Sequence, residues 1–194
     1  MGQRAGTTSS GLRNQVFTAS GSFKVPAGIT KLFLTGCGGG GSGGRRLFQD
    51  LNGGGGGGGG FVTRYPVSVT AGATYTVTIG AGGIWGSTDG GDTIFEGLLN
   101  IAGGISGVAD SATGGAGGSA FPTMKAGETG QTGGTLGSGG NGGRSMPLVA
   151  GGTPATSNNT AGGNAPANSG AGGGGGCGTG GGGIGGTGLL IVEW

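Results

Sequence analysis

The chain of 194 residues lacks several residue types on which ordinary protein chemistry depends. It has no histidine, two cysteines and six prolines, and charged residues make up only 8% of it. Two cysteines without histidine are too few ligands for a zinc site. Six prolines without a strict three-residue register exclude a collagen triple helix. No stretch reaches the 18 or more apolar residues of a membrane-spanning helix, so we expect no membrane insertion.

Charge of either sign is scarce. The nine Lys and Arg residues are scattered and the net charge is +2, so the basic stripe that nucleic-acid binding requires is missing. Disorder is favoured when few large apolar residues are combined with a high net charge. Leu, Ile, Val and Phe total only 35, so the first condition is met and the second is not. An ordered glycine-rich structure therefore remains open.

Glycine is abundant in the chain. It accounts for 62 residues, which include eight in succession from Gly53 to Gly60. Only seven of the 35 large apolar residues lie between residues 102 and 187, so this part cannot build a side-chain core. If it folds, its buried peptide N–H and C=O groups must pair with one another. Polyproline II, with three residues per turn, allows glycine segments to pack side by side. We predict a bundle of polyglycine II helices.

Period-two alternation predicts strands before and after this bundle. No segment combines helical periodicity with capping residues, so we expect essentially no α-helix. The predicted fold is all-β with polyglycine II helices: a small antiparallel β-sandwich of N-terminal and C-terminal strands, joined to the glycine bundle. The predicted strands lie in residues 16–35, 61–69, 74–79, 92–101 and 189–194.

We expect a single glycine-rich domain over residues 15–194, preceded by an attachment arm or flexible N-terminus at 1–14. Residues 15–101 and 188–194 are assigned mainly to β-sheet, and residues 102–187 mainly to polyglycine II with loops.

Glycine helices that grow out of strand ends would carry their turns far from the sheet. We therefore predict a distal tip at residues 45–52 and at the insert 153–169, with residues 144–149 sharing it. Residues 172–186 are expected to run inward to the terminal strand.

The two cysteines, Cys37 and Cys177, each lie at a glycine run. They could form a disulfide between the first and last glycine helices. The alternative is a pair of small, buried and inert thiols, which we prefer.

The sequence offers little catalytic chemistry. Asp89 and Asp92, with Glu96, form the only cluster of acids, and paired carboxylates are what glycoside hydrolysis needs. The Asp-Gly-Gly-Asp segment is equally typical of a turn. At this glycine content a dinucleotide-type glycine pattern arises by chance, and no glycine-rich loop continues into the Gly-Lys-Ser/Thr of a phosphate-binding loop. We therefore expect that the protein is not an enzyme and that it binds no cofactor and no metal.

Five segments occur in a fixed order: FTASGSFKVPAGIT at 17–30, GCGGGG at 36–41, TYTVTIGAGG at 74–83, GGDTIF at 90–95 and GLLIVEW at 188–194. Together they resemble the glycine-rich domain found in bacteriophage tail fibres, over roughly residues 15–194. Such domains look like adhesin tips that contact the bacterial surface. The more distantly similar tail-fibre adhesins of large myophages build a layered polyglycine II sandwich capped by recognition loops.

The resemblance implies a virion protein at a tail fibre or tail tip that binds the host surface through loops on a rigid glycine scaffold. The implied partners are lipopolysaccharide or an outer-membrane protein, other tail or fibre proteins, and two further copies in a homotrimer. The alternative is a structural spacer or decoration protein that binds no receptor.

The candidate receptor-binding residues are the large and polar side chains of the predicted tip. Arginines and an aromatic ring suit phosphate and sugar, methionine and arginine suit a protein-binding patch, and asparagines suit polar partners. Arg4 and Arg13 are candidates for attachment. Trp85 and Trp194 are expected to pack in the sheet region or a subunit interface. The tip candidates are Arg45, Arg46, Leu47, Phe48, Arg144, Met146, Asn158 and Asn159.

Overall fold

A computed structural model describes residues 13–45, 52–85, 88–109, 111–118, 125–134, 140, 142–146 and 149–194. This part of the chain contains eight strands and no α-helix, as the sequence predicts. The strands are β1 (Asn14–Phe17), β2 (Gly21–Lys24), β3 (Lys31–Cys37), β4 (Phe61–Ser68), β5 (Thr74–Thr78), β6 (Thr93–Phe95), β7 (Leu99–Ile101) and β8 (Leu189–Glu193).

The strands form two antiparallel sheets, in the orders β1-β8-β3-β4 and β2-β5-β6-β7. The C-terminal strand β8 lies between β1 and β3, with Val16 and Thr35 both opposite Ile191. The predicted sandwich of N-terminal and C-terminal strands is therefore confirmed. The region predicted at residues 16–35 contributes to both sheets, because β2 pairs with β5 rather than with β3.

Side chains from both sheets fill the core of the sandwich. Phe23, Phe95 and Leu34 are almost completely buried, and each lies on the inward face of an alternating strand. The Phe23 ring packs 5.3 Å from that of Trp194, and Tyr75 stacks on Phe95 at 5.2 Å. Trp194 therefore packs in the sheet region, as the sequence predicts.

The remaining glycine-rich segments form twelve short extended rods within the described residues. A rod is defined here as a segment whose peptide groups bond to neighbouring segments instead of to a sheet. In chain order, rods 1 to 12 comprise residues 38–44, 53–60, 80–84, 88–91, 102–108, 112–118, 126–133, 140 with 142–144, 150–155, 160–165, 170–176 and 181–188.

Hydrogen bonding along rod 1 repeats every three residues. The N–H groups of Gly38, Gly41 and Gly44 donate to rod 2, at N···O distances of 2.8–3.0 Å. Those of Gly39 and Ser42 donate to rod 4, and those of residues 40 and 43 donate to rod 12. A helix with three residues per turn directs every third N–H group to the same neighbouring rod, as observed here.

Rods 1, 2 and 11 form the centre of a hexagonal lattice. Rod 1 donates to rods 2, 4 and 12 and accepts from rods 3, 5 and 11, so it has six bonded neighbours. Rod 2 is bonded to rods 1, 5, 6, 7, 8 and 11, and rod 11 to rods 1, 2, 8, 9, 10 and 12. The three central rods touch one another and the other nine surround them, so peptide groups form the interior.

Close approach explains why the central rods are nearly pure glycine. A Cβ atom built on Gly43, Gly56 or Gly173 would overlap a backbone carbonyl group of an adjacent rod. The neighbouring atom is backbone, and it is held by bonds of its own, so the overlap cannot be relieved by a rotamer change. Glycine is required here for its missing side chain.

The rods run in pairs, and each pair reverses at the end of the lattice away from the sandwich. Rod 1 leaves β3 and rod 2 returns into β4, with Gly38 paired to Gly60 near the sheet and Gly44 paired to Gly54 at the opposite end. We call that opposite end the far face. Its described residues are Arg45, Asn52, 84–85, 88, 108–109, 111–113, 133–134, 140, 155–160 and 177–180.

One predicted path is wrong. Residues 172–186 do not run inward as a single thread, because rod 11 runs outward from Gly170 to Gly176 and a turn at Cys177–Gly180 sends rod 12 back toward β8. Gly178 in that turn has a φ of 60°, which permits the reversal.

Candidate functional site

The far face is the part of the lattice where side chains are displayed. Arg45 is exposed directly after the buried rod 1, and it has no ion-pair partner within the described residues. The neighbouring candidates Arg46, Leu47 and Phe48 lie outside the described residues.

Asn158 and Asn159 lie on the far face in the turn between rods 9 and 10, and both are exposed. Asn159 has a φ of 61°, a left-handed conformation that asparagine tolerates better than most residues. Its Oδ1 accepts hydrogen bonds from the N–H and the hydroxyl of Thr179, at 3.1 and 3.2 Å. This turn is therefore fixed to the turn between rods 11 and 12.

A buried cysteine joins three parts of the far face. The Cys177 thiol donates to Oδ1 of Asn52 at 3.1 Å and approaches Oδ1 of Asn158 at 3.5 Å. The Asn52 amide in turn donates to the carbonyl of Gly134. Cys177 is thus buried within the far face, and Cys37 is buried at the sheet end of rod 1. Both thiols are free and buried at opposite ends of the lattice, so the disulfide alternative is wrong.

Arg144 and Met146 lie at the sheet end, and the expectation that they share the tip is wrong. The carbonyl of Arg144 accepts from Glu128, whose own carbonyl accepts from Gly58, three residues before β4. Ser145 is buried against Gly170. Rod 8 returns from the far face toward the sheet, and this reversal carries Arg144 away from Asn158. Arg144 is exposed beside Glu128, at 3.9 Å, a pair that contributes little in water.

Of the two attachment candidates, Arg4 lies outside the described residues and Arg13 is exposed at the end of the sandwich. The backbone of Arg13 exchanges two hydrogen bonds with that of Trp194, at 3.0 and 3.1 Å. Because β8 runs away from the lattice, Arg13 lies at the opposite end of the molecule from Arg45.

Sequence reasoning missed Ile84 and Trp85. Their side chains are 63% and 77% exposed at the far end of rod 3, so Trp85 does not pack in the sheet region. The signal was present as two apolar residues between the glycine segments 80–83 and 90–91. The glycine segments alone do not reveal that rods 3 and 4 pair, so the sequence does not place these residues on the far face.

Asp89 and Asp92 are engaged in structural bonds. Oδ1 of Asp89 accepts the N–H of Ser106 at 2.8 Å, and Oδ1 of Asp92 accepts that of Gly103 at 3.0 Å. Asp89 lies on rod 4 and Asp92 directly follows this rod, so the two acids are three residues apart and meet N–H groups three residues apart on rod 5. At the edge of the lattice, each carboxylate thus accepts a hydrogen bond of the kind that a backbone carbonyl accepts elsewhere in the lattice.

The described part of the chain contains no group of three or more Cys, Asp or Glu residues placed to hold a metal ion. It also contains no helix that is long and apolar enough to cross a bilayer.

The architecture defines a class of protein in which a β-sandwich supports a hydrogen-bonded glycine lattice whose turns form one face. The chain belongs to the glycine-rich domain family, whose sequence profile matches residues 17–194. No curated protein matches the chain.

Proposed function

We propose that this protein is a tip protein of a bacteriophage tail fibre, located in the virion, that binds a receptor on the bacterial surface through the far face. The observation that carries the proposal is the common direction of the lattice turns. Six pairs of rods reverse at one end, opposite the sandwich, and rigid scaffolds that display loops are a common basis for recognition surfaces.

The chemistry of the far face suits a polar receptor. Arg45 is exposed without an ion-pair partner in the described part of the chain, and an unpaired guanidinium can make charge-assisted hydrogen bonds to phosphate or carboxylate. The exposed amides of Asn158 and Asn159 can bond to sugar hydroxyls or to polar loops. Lipopolysaccharide and an outer-membrane protein both offer such groups.

The opposite end is suited to attachment. Arg13 lies where the sandwich is farthest from the far face. We propose that this end contacts other tail or fibre proteins through Arg13, that Arg4 also serves attachment, and that the tip is a homotrimer.

A second candidate, a structural spacer without receptor binding, is favoured by the internal use of polar side chains. Oδ1 of Asn164 accepts the N–H of Ile184 at 2.9 Å, and Asn168 exchanges hydrogen bonds with Thr187. These asparagines hold rod 10 and the following turn against rod 12, so their presence alone is no argument for recognition.

Competition for adsorption separates the two candidates. Purified protein added to susceptible cells should reduce phage attachment in a dose-dependent manner. The variant Arg45→Glu should compete less well, and the matched variant Arg144→Glu, exposed at the sheet end, should compete like the wild type. Failure of the wild-type protein to bind cells or to compete would favour the spacer. Equal loss from both variants would reject the far face as the binding surface.

A further inference from the structure

A recess lies beside Trp85, between rod 3 and rods 10 and 12. Its volume is about 410 Å³, and it is lined by Trp85, Ala161, Asn164, Ile184 and the backbone of Gly181 and Gly182 among others. Cavities of roughly 300–1,000 Å³ are typical of small-molecule sites. Among the described residues no charged side chain lines the recess, so this lining offers no partner to an ionic group.

The indole of Trp85 is exposed, although residues before and after it are bonded to the lattice. Rod 1 is interrupted by one serine, Ser42, which is completely buried. Its backbone N–H and its hydroxyl both donate to the carbonyl of Thr88, and its hydroxyl accepts the N–H of Thr88, at 3.0–3.1 Å. Thr88, three residues after Trp85, is thus fixed to the central lattice by three bonds. An indole with 77% of its surface in water gains little from folding, so its position needs another explanation.

One backbone donor among the lining residues has no acceptor in the described part of the chain. On rod 12 the N–H of Gly188 donates to Gly80 and that of Gly185 donates to Gly83, both on rod 3. The next position in this three-residue series is Gly182, which lines the recess, and its N–H has no acceptor within the described residues. Oδ1 of Asn164 is bonded to Ile184, whereas its amide donors have no acceptor in the described part of the chain.

We propose that this recess is a binding site for a neutral saccharide of one or two rings. A pyranose ring has an apolar C–H face, which would lie on the exposed indole, and a rim of hydroxyl groups, which would accept hydrogen bonds from Gly182 and Asn164. The uncharged lining disfavours phosphorylated or carboxylated ligands, since these would lose hydration without a compensating charge. The assignment rests on the proposed host-binding role for the source of its ligand, a cell-surface glycan.

The test is titration of the purified protein with a panel of neutral mono- and disaccharides containing glucose, galactose, mannose or N-acetylglucosamine. Binding would be followed by ligand-detected NMR and by the indole N–H signals. At least one sugar should bind saturably, with a dissociation constant of about 1 mM or tighter, and should shift the Trp85 signal. The variant Trp85→Ala should weaken this binding at least about tenfold. The matched variant Val108→Ala removes another exposed apolar side chain of the far face and should change the affinity less than about twofold.

Two results would overturn the saccharide site. One is the absence of saturable binding to every sugar in the panel. The other is an oligomer in sedimentation analysis that dissociates in Trp85→Ala, which would identify the recess as an interface between copies of this chain. Wild-type binding to cells without binding to any sugar rejects this site and leaves the proposed function intact. Binding of a sugar without binding to cells would support this site and reject the proposed function.

Discussion

In the sandwich the groups removed from water are side chains such as Phe23, Leu34 and Phe95, whereas in the lattice they are the peptide groups of rods 1, 2 and 11. The sandwich is held by the burial of apolar surface, which has no strict directional requirement. The lattice is held by hydrogen bonds of defined direction, each contributing roughly 0.5–1.5 kcal/mol net. The two regions should therefore differ in the kind of substitution that they tolerate.

The central rods contain two residues other than glycine. Rod 1 contains Ser42 and rod 11 contains Ala171, and both are buried. Ser42 uses its hydroxyl to bond Thr88 at the end of rod 4. A side chain is thus accommodated in rod 1 at a position where it makes specific hydrogen bonds.

The largest expected effect is from the smallest added side chain. Gly173 lies in central rod 11, and Gly173→Ala places a methyl group against the backbone of Gly183 and Ile184 in rod 12. We expect a loss of stability above the roughly 1–3 kcal/mol that is usual for overpacking in a side-chain core, because backbone of a bonded rod cannot yield. Urea unfolding measures it. The control is Gly181→Ala, whose added methyl meets nothing within 4 Å, and which should leave stability unchanged or slightly raised. Equal losses from both variants would contradict the lattice packing.

The sandwich should respond to lost volume instead. Phe95→Ala removes a fully buried ring that packs on Phe23 and Tyr75, and we expect it to lower stability by about 3–5 kcal/mol. Leu34→Met, which conserves volume in the same core, should lower it by less than about 1.5 kcal/mol. Thermal unfolding of both variants measures this contrast. A loss from Leu34→Met as large as that from Gly173→Ala would remove the distinction between the two regions.

An intermediate effect is expected at the boundary between the regions, where burial raises the pKa of Cys37 from 9.0 to about 11. The unfolded chain loses this proton above about pH 9 and the folded chain only above about pH 11. The contribution of Cys37 to the free energy of unfolding is therefore fully present below pH 9. It falls as the pH rises to 11, by about 1.4 kcal/mol per pH unit or roughly 2–3 kcal/mol in all. Urea midpoints across this range should fall more steeply for the wild type than for Cys37→Ala. Parallel curves would show that this thiol does not contribute.

The smallest effect is expected at the lattice edge. Asp92→Ala leaves the N–H of Gly103 without its carboxylate acceptor, and the expected loss of stability is about 1 kcal/mol. Asp92→Asn retains an oxygen at the same place and should lose less. Amide exchange at Gly103 should become faster in the alanine variant. Unchanged exchange there would mean that the carboxylate is not the acceptor in solution.

The strands could be predicted from the sequence because the sandwich follows period-two burial. Phe17, Phe23 and Val25 are all buried, as their alternation predicts, and Leu99–Ile101 pairs with Thr93–Phe95 as a hairpin. The glycine lattice could also be predicted, from the shortage of large side chains and the need of buried peptides for partners.

The paths of the individual rods could not be predicted from composition. Glycine segments have no side-chain periodicity, so nothing local shows which end of a rod meets the sheet. For this reason the sequence predicts Arg144 at the tip, which is the wrong end, and does not predict Trp85 on the far face. Which end of a rod faces the sheet depends on which rods pair. The pairing is set by hydrogen bonds between residues that are distant in sequence, such as Gly143 and Gly56.

Hydrogen–deuterium exchange of the backbone amides, resolved by residue, tests the central claim most directly. If peptide groups form the interior of the lattice, the amides of residues 38–44, 53–60 and 170–176 should be protected as strongly as those of β3 and β8, in spite of having almost no side chains around them. Exchange of these glycine amides at the rate of an unfolded chain, with the strands still protected, would contradict the account.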